Sequence, residues 1–358
     1  MAAVTGRLSR VERGSLVVAG AFTALAGVGR YGGWPAGAAF AAATVALAAL
    51  AHIVSFATEQ VGRRYGPAAT GLMQSTLGNL PELFIVIFAL RAGQTVVAQT
   101  SIVGSVFANA LLVLGLVIVV GARRAPDGVM RFHRRLPNDE ATLLLLTVFI
   151  IVIVGLSLAS HDPASTHVKS VSAIAAIALL GVYVAWVIPY VRSDQGPAGR
   201  DEPAQPALPL AAAVALLGAA GAASAFVSDW FVHALEPAME GIGVSNAFAG
   251  LVVVAIAGNA VENATGLVLA YKGQADLAVS VVKNSVAQIA AFLFPVLVLI
   301  SLLFAHQLTF SLAPVYIGAL ALTAISVWQI TGDGEAVMFE GWALVATYVV
   351  LAALTVYE

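Results

Sequence analysis

The sequence predicts an all-α polytopic membrane protein of about eleven transmembrane helices: a lone first helix, then two five-helix repeats of opposite orientation. Three observations carry this expectation. The 358-residue chain is 60% hydrophobic and only 10% charged, with a mean hydropathy of +0.94, whereas a soluble domain carries about 25% charge. Its apolar runs are each near the ~20 residues that a bilayer crossing requires. A polar kernel occurs twice inside those runs, as Gly78-Asn79-Leu80-Pro81-Glu82 and as Gly258-Asn259-Ala260-Val261-Glu262, at a constant offset of 180 residues. Cysteine is absent, which excludes a disulfide framework and thiolate metal sites.

The apolar runs are read in order as Gly14–Gly29, Gly37–Val61, Ala68–Leu90, Val96–Val120, Glu140–Ser160, Val168–Val191, Ala207–Leu235, Asn246–Ala270, Leu277–Phe304, Thr309–Ile330 and Val337–Val356. Met1–Arg13 is polar and basic, and with Gly14–Val28 it could pass for a signal peptide. A retained first helix fits the distribution of charge better. With the amino terminus inside, thirteen Lys and Arg residues fall on the inner side, and only Arg30, Arg91 and Lys169 fall outside. That asymmetry predicts a cytoplasmic amino terminus in a multi-pass protein of the cell inner (plasma) membrane.

The organisation expected is residues 1–36 as the amino-terminal segment and first helix, 37–191 as the first five-helix repeat, 192–206 as a cytoplasmic linker, and 207–358 as the second repeat. The linker is rich in Pro, Gly and charge. Its three acids, Asp194, Asp201 and Glu202, could hold a regulatory cation, although a solvated linker is the simpler reading. Five crossings per half make the second copy enter from the opposite face. The two glutamates then approach the midplane from opposite sides, as in transporters built from inverted repeats.

A carboxylate at membrane depth costs at least about 2.5–3.5 kcal/mol on insertion scales, so Glu82 and Glu262 are functional candidates. Around Glu82 lie Gln74, Ser75, Thr76, Gly78 and Asn79, and the next span adds Ser101, Ser105 and Asn109 on one helical face. Around Glu262 lie Gly258, Asn259, Asn263 and Thr265, followed by Asn284, Ser285 and Gln288. Pro81 should break the first kernel's helix near Leu77–Gly78. The second kernel has no proline, so a kink there rests on Gly258. Broken helices free backbone carbonyls at the midplane. Carboxylates, amides, hydroxyls and carbonyls are hard donors of the kind that Ca2+ gathers in sets of 6–8. Two facing carboxylates can hold one divalent cation or, in a desolvated setting, protons, and that suffices for coupled exchange. Ser101, Ser105 and Ser285 could instead only bind helices together.

Glu59 and Asp229 precede the two kernels and are candidates for gating or proton access. Lys283 is read as snorkelling to the interface, with neutralisation of a carboxylate as the alternative. His52 and His233 are read as packed or interfacial side chains, and His133 and His161 as loop residues. No HExxH, Ser/His pairing or nucleotide loop suggests an enzyme, and no cofactor is expected.

These residues resemble the cation/proton exchanger (CAX) family of the Ca2+:cation antiporter superfamily. The first signature is matched from Gly78-Asn79-Leu80-Pro81-Glu82-Leu83 to Ser105 and Asn109. The second is matched from Gly258 through Glu262 to Ser285-Val286-Ala287-Gln288. Ala57-Thr58-Glu59, Glu236-Pro237-Ala238 and Asp333-Gly334 also match. The resemblance implies Ca2+ binding by Glu82 and Glu262, assisted by nearby backbone carbonyls and amides. It implies gating and proton access at Glu59 and Asp229, and exchange of Ca2+ against protons. The partners expected are an inorganic cation, protons and the lipid bilayer, with a homo-oligomer possible and no nucleic acid. Asn263 stands where the family's second signature has His, and Asn284 where a Gly commonly precedes the serine. With Lys283 beside the site, these departures keep a Na+ or K+/H+ antiporter open as the alternative. A cation channel, which needs a continuous pore, is the reading from another class.

Overall fold

The computed structural model describes residues 9–65, 73, 76–133, 135–192 and 206–358. Its helices are α1 (Arg10–Tyr31), α2 (Ala36–Gly62), α3 (Leu80–Arg91), α4 (Thr95–Arg124), α5 (Arg135–Ala159), α6 (Val168–Arg192), α7 (Leu210–Ile242), α8 (Asn246–Gly258), α9 (Ala260–Tyr271), α10 (Ala275–Ser301), α11 (Pro314–Thr331) and α12 (Met338–Val356). Among the described residues nine helices are long and apolar enough to cross a membrane, and α8 with α9 forms one further passage bent by 60°. The remaining expected span ends in α3. Its earlier part, with Gln74 and Ser75, lies outside the described residues, as does most of the 192–206 linker.

The connections sort onto two faces. Arg64 donates to Leu208 O, and Ala207 N–H donates to Gln60 Oε1, so the end of α2 meets the start of α7. Gln94, just after α3, donates to Glu236 near the far end of α7. At 33 residues and ~1.5 Å per residue, α7 is about 50 Å long, so residues 64 and 94 lie on opposite faces. α4 returns to the face of residue 64. There Arg124 donates to Tyr271 O, His133 meets Asp276, and strands β1 (Val129–Arg131) and β2 (Glu335–Val337) pair antiparallel.

The 180-residue offset is visible in the backbone. Gly93 and Gly273 both adopt the left-handed conformation, at φ 78° and 77°, where a side chain would be strained. A π-helical turn interrupts α4 at Ala108–Val113, and another interrupts α10 at Ile289–Leu293. The halves interlock: α2 packs on α7, α4 on α8, and α5 on α11. Close approach of α4 and α8 needs small residues. A Cβ on Gly104 would stand 2.4 Å from Leu251 O, and one on Gly250 2.0 Å from Thr100 Oγ1. The core runs through this seam, with Ile102, Phe107 and Leu111 fully buried. α1 is peripheral and buries only Ala19, Ala26 and Gly29.

Candidate cation site

Both kernels break, and both break at the asparagine. Asn79 (φ −82°, ψ 5°) and Asn259 (φ −103°, ψ 12°) each precede a new half-helix. The expected break at Leu77–Gly78 is therefore displaced by a residue, and Pro81 is not an interior kink. It stands in the first turn of α3, where its missing N–H leaves no helical bond unmade. The second kernel bends without a proline, so proline is not the common cause. What the kernels share is a glycine, an asparagine, and a glutamate side chain from the other half packed against them.

That packing defines the site. A Cβ on Gly78 would lie 3.1 Å from Glu262 Oε1, and one on Gly258 would lie 3.8 Å from Glu82 Cβ. Each glutamate thus faces the glycine of the opposite kernel. Glu82 and Glu262 each occupy the third position of their half-helix, where the positive end of the helix dipole favours a carboxylate. They are close enough for their charges to interact.

Each glutamate is held by the serine 23 residues on. Ser105 donates to Glu82 Oε1, and Ser285 donates to Glu262 Oε2. Asn259 leaves the break uncapped and donates its side-chain amide to Ser105 Oγ at 2.9 Å and to Ala255 O. The chain Asn259–Ser105–Glu82 therefore crosses from one repeat to the other. Asn79, Ser105, Ser285 and Gln288 are all buried, and Gln288 Nε2 points at Asn284 Oδ1. Glu82 Oε2, Asn259 Oδ1 and Asn263 Oδ1 are buried with no hydrogen-bond partner among the described residues. Such oxygens are costly unless something satisfies them, and a cation would. Glu82 is 1% exposed, whereas Glu262 is only partly buried, so the second half is the more open side.

Ser101 and Asn109 do not reach the carboxylates. Ser101 donates to Ala98 O, and Asn109 donates to Ser105 O. Glu59 lies one face away from the kernels, ion-paired to Arg63 at 2.8 Å. Asp229 is on the exposed side of α7, while its neighbour Ser228 is the residue that touches the kernel, at Pro81 O. Toward the opposite end of the bundle lies Glu236, which accepts from Gln94. In the sequence Glu236 stands out only through the Glu236-Pro237-Ala238 match.

Lys283 does not snorkel. It is 3% exposed and donates to Thr331 Oγ1 at 2.7 Å, and its charge interacts with that of Glu140, also 3% exposed. α10 packs directly on α5, which brings the charges of Lys283 and Glu140 within range of each other, while the ammonium donates to Thr331.

Comparison with known proteins agrees with this architecture. The Ca(2+)/H(+) antiporter ChaA of Bacillus subtilis is 32% identical, with 89% of this chain and 92% of that protein aligned. A Ca(2+)/H(+) antiporter of Synechocystis is 30% identical, with 89% and 91% aligned. Among solved structures, native YfkE superposes with a TM-score of 0.79 at 29% identity, covering 96% of this chain and 100% of that one. The H+/Ca2+ exchanger CAX shares the fold, with a TM-score of 0.73 at 16% identity over 97% and 93%. The sodium/calcium exchanger protein family matches twice, at residues 36–188 and 212–357. Two matched segments that together span most of the chain, and two kernels meeting at one buried site, establish that this chain belongs to the sodium/calcium exchanger protein family, on its cation/proton exchanger side.

Proposed function

We propose that the chain is a Ca2+/H+ antiporter that exchanges cytoplasmic Ca2+ for protons by alternating access, with Glu82 and Glu262 serving both cation and protons. The observation that supports this most is the crossing of the kernels, in which each glutamate faces the opposite glycine and is held by its own serine. Two carboxylates balance one divalent charge. Asn79, Asn259 and Gln288, with the carbonyls at Gly78 and Gly258, supply the neutral oxygens that a Ca2+ shell needs. With the cation gone, two like charges in a desolvated site are relieved by protons, so one site alternates between two cargoes. Glu59 and Glu236 stand toward opposite ends of the bundle, where a proton or cation enters or leaves. The face that gathers Arg123, Arg124, Arg131 and Lys272 is read as cytoplasmic, and on that reading the amino terminus is cytoplasmic in a multi-pass protein of the inner (plasma) membrane.

Proteoliposomes with an imposed pH gradient test the reading. Added Ca2+ should dissipate the gradient in a saturable way, and Glu82→Gln or Glu262→Gln should abolish this. A gradient collapsed by Na+ or K+ but not by Ca2+ would instead establish the monovalent exchanger. That alternative rests on Lys283 and Asn284, and the hydrogen bond of the buried Lys283 ammonium to Thr331, with Glu140 in range of its charge, favours Ca2+. Conductive, unsaturable flux without proton movement would replace exchange with a channel.

A further inference from the structure

We propose that a cavity between α1, α2 and α7 binds the phosphate of an anionic phospholipid headgroup, with Arg30 and His233 as its polar contacts. The cavity is about 200 Å3 and is walled by Trp34, Trp230 and the small residues Gly29, Ala39 and Ala234. A single water needs roughly 10–15 Å3 of such space, so the volume suits a larger group. Its lining contains a cation and an imidazole but no carboxylate.

Arg30 is the main reason to assign a ligand. It lies in the last turn of α1, and its guanidinium rests over the Tyr31 ring at 5.6 Å. Its Nε is buried and has no hydrogen-bond partner among the described residues. A buried guanidinium donor is satisfied best by a bidentate oxyanion, and phosphate has the matching geometry. The walls are held in shape without help from a ligand. Trp230 packs edge-on against Tyr31 and lies 3.1 Å from where a Cβ on Gly27 would stand.

The position favours lipid over a dissolved ion. The cavity sits at the end of α1, where the span meets the interface, and Trp rings mark that depth. Val18, Leu25 and Val28 are exposed along α1, which gives acyl chains an apolar surface on the helix whose end holds the phosphate. α1 buries only small residues against the bundle, and a headgroup held jointly by α1 and α7 would strengthen its link to the long helix that touches Pro81 beside Glu82.

The test uses delipidated full-length protein in neutral detergent, titrated with phosphatidylglycerol, with phosphatidylcholine and with inorganic phosphate, and read by Trp fluorescence. Phosphatidylglycerol should saturate and shift the signal. Arg30→Gln should weaken that binding about tenfold, while Arg123→Gln, a basic residue at the opposite face, should leave it unchanged. Ala234→Leu fills the cavity from one wall and should lower affinity while Arg30 is retained, so a folding failure of the arginine variant does not decide the matter. Unchanged binding in either cavity variant overturns the site. Equal saturation by inorganic phosphate overturns the lipid assignment, as does phosphatidylcholine binding as tightly as phosphatidylglycerol.

Discussion

Replacing Lys283 with methionine strands a carboxylate. In the folded protein Lys283 and Glu140 are each 3% exposed, on helices that pack directly against each other. Glu140 Oε2 has no hydrogen-bond partner among the described residues, so the electrostatic partner is what makes its burial tolerable. Removing one member of a buried pair costs about 3–5 kcal/mol, whereas replacing both with groups of similar shape is often neutral. At roughly 2 °C per kcal/mol for a chain of this size, Lys283→Met or Glu140→Gln alone should lower the apparent unfolding temperature by about 6–10 °C. The double variant should lose less than half of that. The assay is Trp fluorescence of detergent-purified protein at one fixed scan rate, since unfolding of such proteins is governed by rate. Transport supplies a second readout. Because the Lys283 ammonium donates to Thr331 and its charge is offset by Glu140, the double variant should keep its half-saturating Ca2+ concentration within about threefold. Additive losses in the double variant would refute the pairing. A tenfold gain in Ca2+ affinity would show that the field of Lys283 reaches Glu262, and would revive the monovalent reading.

Two further outcomes follow from the site and the seam. Asn259→Ala removes the donor that orients Ser105 and a neutral oxygen beside Glu82. Half-saturating Ca2+ in the vesicle assay should rise about tenfold or more, and unchanged affinity would remove Asn259 from the site. Gly250→Ala drives a methyl group into Thr100 and should destabilise by about 1–3 kcal/mol or more. Gly181→Ala meets nothing within 4 Å and should be neutral or stabilising by about 0.5–1 kcal/mol, so equal behaviour of the two in thermal unfolding would contradict the close packing of α4 on α8.

The sequence alone determined the membrane class, the placement of the apolar spans to within a few residues for most of them, and the two-copy kernel. Hydrophobicity is a local, additive property, and a repeat offset needs only counting. It also marked Glu82 and Glu262, because an ionisable group inside an apolar run is conspicuous whatever surrounds it. Tertiary structure decided the rest. That the helix breaks at Asn79 and Asn259, with Pro81 merely opening the next turn, shows only in the fold, where the opposite glutamate side chain packs against each glycine. That Ser105 and Ser285 hold glutamates while Ser101 only bonds its own helix depends on rotation about the helix axis, which spacing along one face does not resolve. Lys283 was misread for the same reason. A lysine in an apolar helix snorkels when lipid or water is in reach, and pairs when a carboxylate on the neighbouring helix is closer. Which of these holds is settled by the packing of α10 on α5, a contact between residues more than 140 positions apart.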